Sequence, residues 1–481
     1  MSTQEFSSIS ELEQAANGIV RIEPDGIDIL DADAVRGDFI DRLAWTSAFG
    51  ETDARDASRW LIRHLAEASG AWTASIHDLY MAAGRGEYSN ATTPAINLRM
   101  MAYDLAQTVF DAARETGTKQ VIFELARSEM GYTDQRPGEY ATSVLAAAVK
   151  AGWNGPVFIQ GDHYQASVKA WDKDPEAELA AVRNLILEAI AAGYGNIDID
   201  ASTLVDLSRD GLRRQQEPNY VTTAMLTQTI RDAEPEGVTI SIGGEIGEVG
   251  GTNSTVEDLD AFMEGYLTDL ERLGRAAERT YTGISKISVQ TGTSHGGVVL
   301  PDGSIADVSV DFGTLAELSA ASRSRYGLGG AVQHGASTLP ESAFSQFAAA
   351  NAVEVHLATA FQSAIFDSDA FPADLLERIY AYLSANHADE WKDGMTDAQF
   401  FYTARKRAIG PFKRDVWSLD AARKGVILDE LRGRFALIFG ELGVAGRGEI
   451  VDRFVPRKPF PIIRGEGVLE LASVDLGDEG E

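Results

Sequence analysis

Short apolar runs recur along the middle of the chain, separated by longer stretches of mixed polarity. Each run is three to five residues long and rich in β-branched side chains, and most of the intervals show apolar residues at helical spacing. Strands that alternate with helices in this way form parallel sheets. The predicted strands are 95–97, 121–125, 157–160, 197–199, 238–242, 287–290, 331–333 and 353–357.

Eight strand–helix units in succession predict a closed (β/α)8 TIM barrel over residues 91–370. A doubly wound open sheet is the alternative that the alternation leaves open. Residues 1–90 predict a helical N-terminal extension, with an amphipathic helix at 53–69. Residues 371–464 predict helices without strand partners that pack on the barrel, and 465–481 form an acidic tail.

The charge balance of the chain limits its partners. The 481 residues include 42 basic and 73 acidic side chains, which gives a net charge of −31. A field of this sign repels nucleic acid and anionic membranes, so we expect neither as a partner. The sequence has neither a signal peptide nor a run of 18 apolar residues, and we expect a soluble, cytoplasmic protein.

Histidines follow four of the predicted strands, although the chain has only seven. His163, His295, His334 and His356 come at or just after the third, sixth, seventh and eighth strands. One such histidine is usually a hydrogen-bonded core residue, but several at the same end of a barrel converge on its mouth, where active sites lie. Because the chain has no cysteine, a zinc ion must be held by histidines and carboxylates. His163, His295 and His334 supply three imidazoles, and a substrate oxygen can take the open position.

Small residues follow the last three predicted strands, at 296–297, 335–337 and 358–359. They let backbone N–H groups approach an anion closely, and barrels often bind phosphate beyond strands seven and eight. These turns therefore predict a phosphate site, with ordinary tight turns as the alternative. Glu245 ends the fifth strand and precedes a glycine-rich segment, which is either a mobile lid or a plain surface loop.

Several motifs, in order along the chain, resemble those of the class II, zinc-dependent fructose-bisphosphate and tagatose-bisphosphate aldolases. The resemblance runs from about residue 94 to residue 442 and leaves the first ninety residues without a counterpart. Its motifs are PAIN at 94–97, GDH at 161–163, EIGEVGG at 245–251, TGTSHG at 291–296, HGAST at 334–338, HLAT at 356–359 and KRDVW at 413–417.

The resemblance implies a role for each matching position. The zinc ligands would be His163, His295 and His334, with Glu245 near an alternative zinc position, and Asp162 would be the acid/base for the hydroxyl of the cleaved bond. A monovalent cation, Na⁺ or K⁺, often assists phosphate binding in this family, and relatives are homodimers or homotetramers. Residues around the substrate and its phosphates would be Asn97, Gly296, Gly335, Ser337, His356, Thr359 and Arg414.

The implied reaction is reversible cleavage of a ketose phosphate, with fructose 1,6-bisphosphate giving dihydroxyacetone phosphate and glyceraldehyde 3-phosphate. Two departures bear on it. Thr252 and Asn253 occupy the positions where the family has a glutamate that transfers the second proton, the one at the enediolate carbon. His356 occupies the position of an asparagine that contacts the substrate in the family. Lys413 is the alternative to Arg414 for the second phosphate. Because of these departures, two alternatives remain. The protein could catalyse a different aldol reaction or an epimerisation of another sugar phosphate or sugar acid, or it could bind a sugar phosphate without catalysis.

Overall fold

Eight parallel strands form a closed barrel at the centre of the computed structural model, which describes residues 5–23, 26–247, 251–292, 300, 310–336 and 339–462. Each barrel strand pairs with the next one along the chain, and the last pairs with the first. This closure confirms the predicted fold class. The strands outside the barrel are β1 (Val20–Glu23), β2 (Gly26–Ile29) and β3 (Ala71–Ala74). The barrel strands are β4 (Thr93–Asn97), β5 (Ile122–Ala126), β6 (Gly155–Gln165), β7 (Asn196–Asp200), β8 (Ser241–Glu245), β9 (Lys286–Val289), β10 (Ala331–Gln333) and β11 (Glu354–Leu357).

Helices follow every barrel strand and cover its outer face. Most residues of the barrel strands are buried, as expected for a parallel sheet enclosed by helices. The first of these helices ends at Gly117, whose positive φ of 67° suits the glycine that commonly terminates a helix. The main helices of the barrel are Ala102–Thr116, Arg127–Thr133, Pro137–Ala151, Val168–Lys173, Pro175–Ala192, Leu212–Gln215, Glu217–Ala233, Val256–Ala276, Phe312–Tyr326, Phe344–Ala349 and Thr359–Phe366.

The segments before and after the barrel are mainly helical, as the hydrophobic pattern predicts. The predicted helix at 53–69 is found at Thr52–Ala68. Within the described residues, none of the helices combines the length and apolar character needed to cross a bilayer. The helices before the barrel are Ile9–Ala16, Ala32–Ala34, Ile40–Phe49, Thr52–Ala68 and His77–Gly84. Those after it are Ala373–Asn386, Asp397–Ala404, Lys413–Trp417, Ala421–Glu441 and Gly448–Phe454.

A ninth strand, β3, joins the barrel sheet from the segment before it. It pairs in parallel with Gly155–Phe158 at the start of β6, whereas later residues of β6 pair with β7. The side chain of Asn196, at the start of β7, accepts a hydrogen bond from the backbone N–H of Ile76 at 2.9 Å. The strand therefore occupies the gap that opens between β6 and β7 at the end of the barrel opposite the predicted mouth.

The C-terminal helices pack on the side of the barrel. Helix Ala421–Glu441 lies along helix Ala102–Thr116, and a half-buried ion pair joins Lys424 Nζ to Asp104 Oδ2 at 2.8 Å. The backbone N–H of Thr92, just before β4, donates to the carbonyl oxygen of Leu442 at 2.9 Å. These contacts attach the C-terminal segment directly to the first barrel strand and its helix.

Candidate metal centre and acid/base site

An irregularity in β6 brings two consecutive side chains to the mouth of the barrel. Successive residues of a regular strand point to opposite faces, but the pairing of β6 with β7 shifts register between Gly161 and Tyr164. His163, within this bulge, has a positive φ of 37°, a conformation that non-glycine residues rarely adopt. As a result Asp162 and His163 both approach His334, which follows β10.

Three imidazole rings surround one oxygen of Asp162. Its Oδ1 lies 3.8 Å from Nε2 of His163, 3.6 Å from Nε2 of His334 and 3.1 Å from Nδ1 of His356. The ring of His334 lies between the other two, with centroid separations of 4.2 Å to His163 and 4.0 Å to His356. Side chains that are far apart in sequence thus meet at one point.

Each of these rings also has a carboxylate near its other nitrogen. Asp200 Oδ2 lies 3.2 Å from Nδ1 of His163, and Glu245 Oε2 lies 3.7 Å from Nδ1 of His334. Glu354 Oε1 lies 2.6 Å from Nε2 of His356. Carboxylates in this position fix the tautomer and the orientation of metal-binding histidines, so that the opposite nitrogen presents its lone pair.

A layer of buried charge lies beneath this group, inside the barrel. Lys286 at the start of β9 is completely buried, and its Nζ lies 2.9 Å from Asp198 Oδ2, 2.5 Å from Glu354 Oε1 and 2.8 Å from Gln160 Oε1. Glu124 on β5 accepts a hydrogen bond from Gln160 at 3.0 Å and lies 3.0 Å from His356 Nδ1. One lysine and one histidine therefore face three carboxylates in a space shielded from water.

The mutual proximity of these groups shifts their pKa values. Burial by itself would raise the pKa of Asp162, but the charges of His163 and His356 outweigh it and hold that pKa well below its usual range. Burial and the negative charge of Asp162 raise the pKa of Glu124 to about 8. Burial, together with the charges of His356 and His163, lowers the pKa of His334. Asp162 is therefore an ionised carboxylate at neutral pH, and His334 is a neutral imidazole.

The other predicted site residues fall into three groups. His295, Gly296 and Ser337 lie outside the described residues. Gly335 and Thr359 lie at the expected strand ends without a side-chain role: Gly335 has a positive φ of 69°, and Thr359 begins the helix after β11.

Asn97 also lies at its strand end, but its side-chain amide is bound to Glu129 at 2.6 Å. Arg414 pairs with Glu5 and stacks over Phe49, so the structure does not bring it to the three histidines. Lys413, the alternative, forms a buried ion pair with Glu139 at 2.6 Å. The roles predicted for these residues remain predictions.

Sequence reasoning missed five charged residues that line the barrel. All of them belong to barrel strands. Side chains at alternate positions of a strand point to the same face, and these charged residues occupy positions that face the inside of the barrel. That alternation, visible in IFELA, NIDID and EVHL, is the signal that could have found most of them. The residues are Glu124, Asp198, Asp200, Lys286 and Glu354.

The donor atoms at the mouth fit the zinc ion that the sequence predicts. Those of Asp162, His163 and His334 all lie within 4.8 Å of one another. Among the described residues, no hydrogen bond to the buried Oδ1 of Asp162 is found. Imidazole nitrogens with a carboxylate oxygen are a usual ligand set for zinc in the absence of cysteine.

Comparisons with known proteins identify a family whose model covers more than half of the chain. The model of a family described as "Fructose-bisphosphate aldolase class-II" matches residues 75–398. Among curated proteins, none matches the chain in sequence.

Solved structures resemble the chain at low sequence identity. A glycerol complex of fructuronate-tagaturonate epimerase UxaE from Cohnella laeviribosi is 12% identical with a TM-score of 0.53, covering 90% of this chain and 90% of that one. A probable tagatose 6 phosphate kinase from Sinorhizobium meliloti 1021 is 17% identical with a TM-score of 0.51, covering 76% of this chain and 90% of that one. A putative fructose-1,6-biphosphate aldolase from Coccidioides immitis is 17% identical with a TM-score of 0.45, covering 77% and 96%.

Proposed function

This chain belongs to the class II fructose-bisphosphate aldolase family, and on that premise we propose that it is a zinc-dependent aldolase acting on a phosphorylated ketose. Fructose 1,6-bisphosphate is the first substrate to test. The observation that carries the proposal is the ionised Asp162 carboxylate held beside the imidazoles of His163 and His334. A protein that only binds a sugar phosphate has no need of a base at this point.

The aldol cleavage begins with removal of a proton from the hydroxyl group of the bond to be broken. Asp162 would accept this proton, and its lowered pKa keeps it ionised before the reaction starts. As the O–H bond breaks, a carbonyl forms, the C–C bond cleaves, and its electron pair moves towards the ketone oxygen of the other fragment. Protonation of that fragment at carbon, by one proton for the one that Asp162 takes up, completes the cleavage. In the reverse direction Asp162 returns the proton to the new alkoxide.

His163 and His334 would hold the zinc ion, with Asp200 and Glu245 fixing their rings. When bound, zinc supplies Lewis acidity that stabilises negative charge on the ketone oxygen. Burial of the surrounding carboxylates and imidazoles excludes water from their inner side, which strengthens every electrostatic interaction there. Gly335 and Thr359 lie at strand ends where their backbone N–H groups suit a phosphate.

The test is release of dihydroxyacetone phosphate from fructose 1,6-bisphosphate by zinc-loaded protein, followed with a coupled reductase. Asp162→Asn should lower kcat by at least about 100-fold, because an amide cannot accept the proton. The variant keeps His163 and His334, so it should still bind zinc at these two histidines. Asp206→Asn changes an exposed carboxylate that binds Ser208 and Arg209, and serves as the matched control. Equal turnover by the wild type and Asp162→Asn would disprove the assigned role.

Epimerisation of a sugar acid is the second candidate. It is favoured by the fold likeness to the Cohnella epimerase, which extends over 90% of this chain. Aldol cleavage, rotation of the aldehyde and re-addition would invert a carbon atom with the same Asp162. Proton NMR of the zinc-loaded protein with fructuronate and tagaturonate would detect this exchange. Turnover of the uronates without release of triose phosphate would replace the first candidate with the second.

A further inference from the structure

His356 lies on the inner side of Asp162, away from His163. Its ring centroid is 6.5 Å from that of His163, compared with 4.0 Å from that of His334. Its Nδ1 lies 3.1 Å from Asp162 Oδ1 and 3.0 Å from Glu124 Oε2. Separations of about 3 Å are those expected between neighbouring ligand atoms that each lie about 2.1 Å from one ion.

The ring of His356 is oriented from behind by groups that fix its other nitrogen. Glu354 Oε1 lies 2.6 Å from Nε2 of His356, and the same oxygen lies 2.5 Å from Lys286 Nζ. The hydroxyl of Tyr80 also donates to Glu354. A carboxylate so firmly held keeps a proton on Nε2, so a cation between Glu124 and Asp162 would displace the proton of Nδ1 and bind its lone pair.

The contacts at Nδ1 are short, but they are not aligned as hydrogen bonds. Within the described part of the chain, hydrogen bonds are found neither to this nitrogen nor to Asp162 Oδ1, Glu124 Oε1 and Asp198 Oδ1, all of which are buried. Buried polar atoms rarely lack a partner, since the loss of hydration is costly. Nδ1 of His356 and Oδ1 of Asp162, which are buried 3.1 Å apart without a hydrogen bond, are arranged as ligands around a cation would be.

The chemical groups of this region also suit a cation. Asp162, Glu124, Asp198 and Glu354 carry four buried carboxyl groups, and Lys286 is buried beside them. The ammonium group of Lys286 lies against Asp198 and Glu354, which leaves Glu124 and Asp162 on the far side of His356. A divalent ion at that point would displace the protons held by Glu124 and His356 and offset the charge of Asp162.

We propose that His356 Nδ1, Glu124 and Asp162 form a second divalent-cation site, which shares the Asp162 carboxylate with the zinc position at His163 and His334. One imidazole and two carboxylates suit Zn²⁺, Mn²⁺ or Co²⁺ better than Mg²⁺, which prefers an all-oxygen shell with several waters. This site is separate from the zinc position at Glu245 that the sequence predicts, because Glu245 lies against His334.

The test counts metal ions in the full-length protein without any substrate. Chelator-treated protein is titrated with Co²⁺, the visible absorption of bound cobalt is followed, and bound metal is measured by elemental analysis after gel filtration. The wild type should bind two ions per chain. His356→Asn should bind one, or bind the second at least about tenfold more weakly. The matched control is His387→Asn, at the end of helix Ala373–Asn386, and it should bind two.

His163→Asn separates the two sites, because it should weaken the other ion and leave the one at His356 in place. One ion per chain in the wild type, retained in His356→Asn, would overturn the proposal. So would two ions bound to His356→Asn with unchanged affinity and cobalt spectrum, which would make His356 a protonated partner of Glu124 only. These results are distinguishable from failure of the aldolase assay, because the metal count uses neither substrate nor turnover.

If circular dichroism shows that His356→Asn does not fold, Glu124→Gln probes the same site from another strand. Its amide should lower the affinity for the second ion while the first is retained. Wild-type crystals grown with Zn²⁺ give an answer without any variant. Anomalous diffraction at the zinc edge should show a peak between His356 and Glu124, and its absence at full zinc loading would disprove the site.

Discussion

The fully buried Lys286 is the residue on which the charge balance inside the barrel depends. Its ammonium group contacts Asp198, Glu354 and Gln160. Lys286→Met keeps most of the side-chain volume but leaves buried carboxylates without their cation, so we expect a loss of about 3–5 kcal/mol in the free energy of unfolding. Urea denaturation measures this value.

Lys119→Met is the matched control, because Lys119 pairs with the exposed Asp452 at 2.7 Å. Exposed pairs contribute little, so this change should cost at most about 1 kcal/mol. Equal losses in the two variants would show that the charge inside the barrel is not balanced by Lys286.

His77, which is distant in sequence from the residues of the metal centre, should make the free energy of unfolding depend on pH. Burial, and then the charge of Arg231, lowers its pKa to about 4. The unfolded chain, with a histidine pKa of about 6.5, takes up a proton first, so the folded state loses stability as the pH falls from about 6.5 to about 4. The free energy of unfolding is measured at pH 7 and pH 4.5 for the wild type and for His77→Gln. Between these two pH values the wild type should lose about 2–3 kcal/mol more than the variant. Parallel pH profiles would contradict this assignment.

The histidines and Asp162 could be found from sequence because they follow strands, and a barrel gathers strand ends at one mouth. The charged layer beneath them could not be assigned in the same way. Whether Glu124 or Glu354 faces inward depends on the register of each strand, which a run of four or five residues does not define. The β6 bulge, which turns His163 into a left-handed conformation, is likewise a property of strand pairing.

At the scale of elements, the barrel strands were predictable because enclosure by helices makes them continuous apolar runs. Their predicted and observed limits differ by only a few residues, except that β6 extends to Gln165 through its bulge. β3 was missed because its four residues, AWTA, are too few to show a periodic pattern. β3 can pair with the start of β6 because β6 pairs with β7 only from Gln160 onward.

Gly195, just before β7, is the residue that lets β3 fit. A Cβ atom at Gly195 would lie 2.2 Å from the carbonyl oxygen of Ala74. Gly195→Ala must therefore displace backbone, and we expect a loss of about 1–3 kcal/mol in the free energy of unfolding. Gly425 lies within helix Ala421–Glu441, where a Cβ atom meets nothing within 4 Å. Gly425→Ala should be neutral or stabilise by up to about 1 kcal/mol. Equal effects in thermal and urea denaturation would contradict the close packing at β3.

At the scale of the whole molecule, bound metal should contribute to stability, because its ligands come from strands that are distant in sequence. Zinc at a concentration 100 times its dissociation constant adds about 2.7 kcal/mol to the folded state if the unfolded chain does not bind it. The melting temperature should therefore fall on treatment with EDTA and recover when zinc is added back. An equal excess of Mg²⁺ is the control and should restore little. A melting temperature unaffected by EDTA and by added zinc would contradict metal binding at the mouth.

The position of β3 in the chain has a consequence for biosynthesis. This strand leaves the ribosome well before β6, its pairing partner, exists. At translation speeds of about 5–20 residues per second, its unpaired backbone groups wait for several seconds or longer. The nascent chain thus carries an open edge that other chains can pair with during this interval. Slowed elongation between codons 75 and 155 should lengthen that exposure and lower the yield of folded protein.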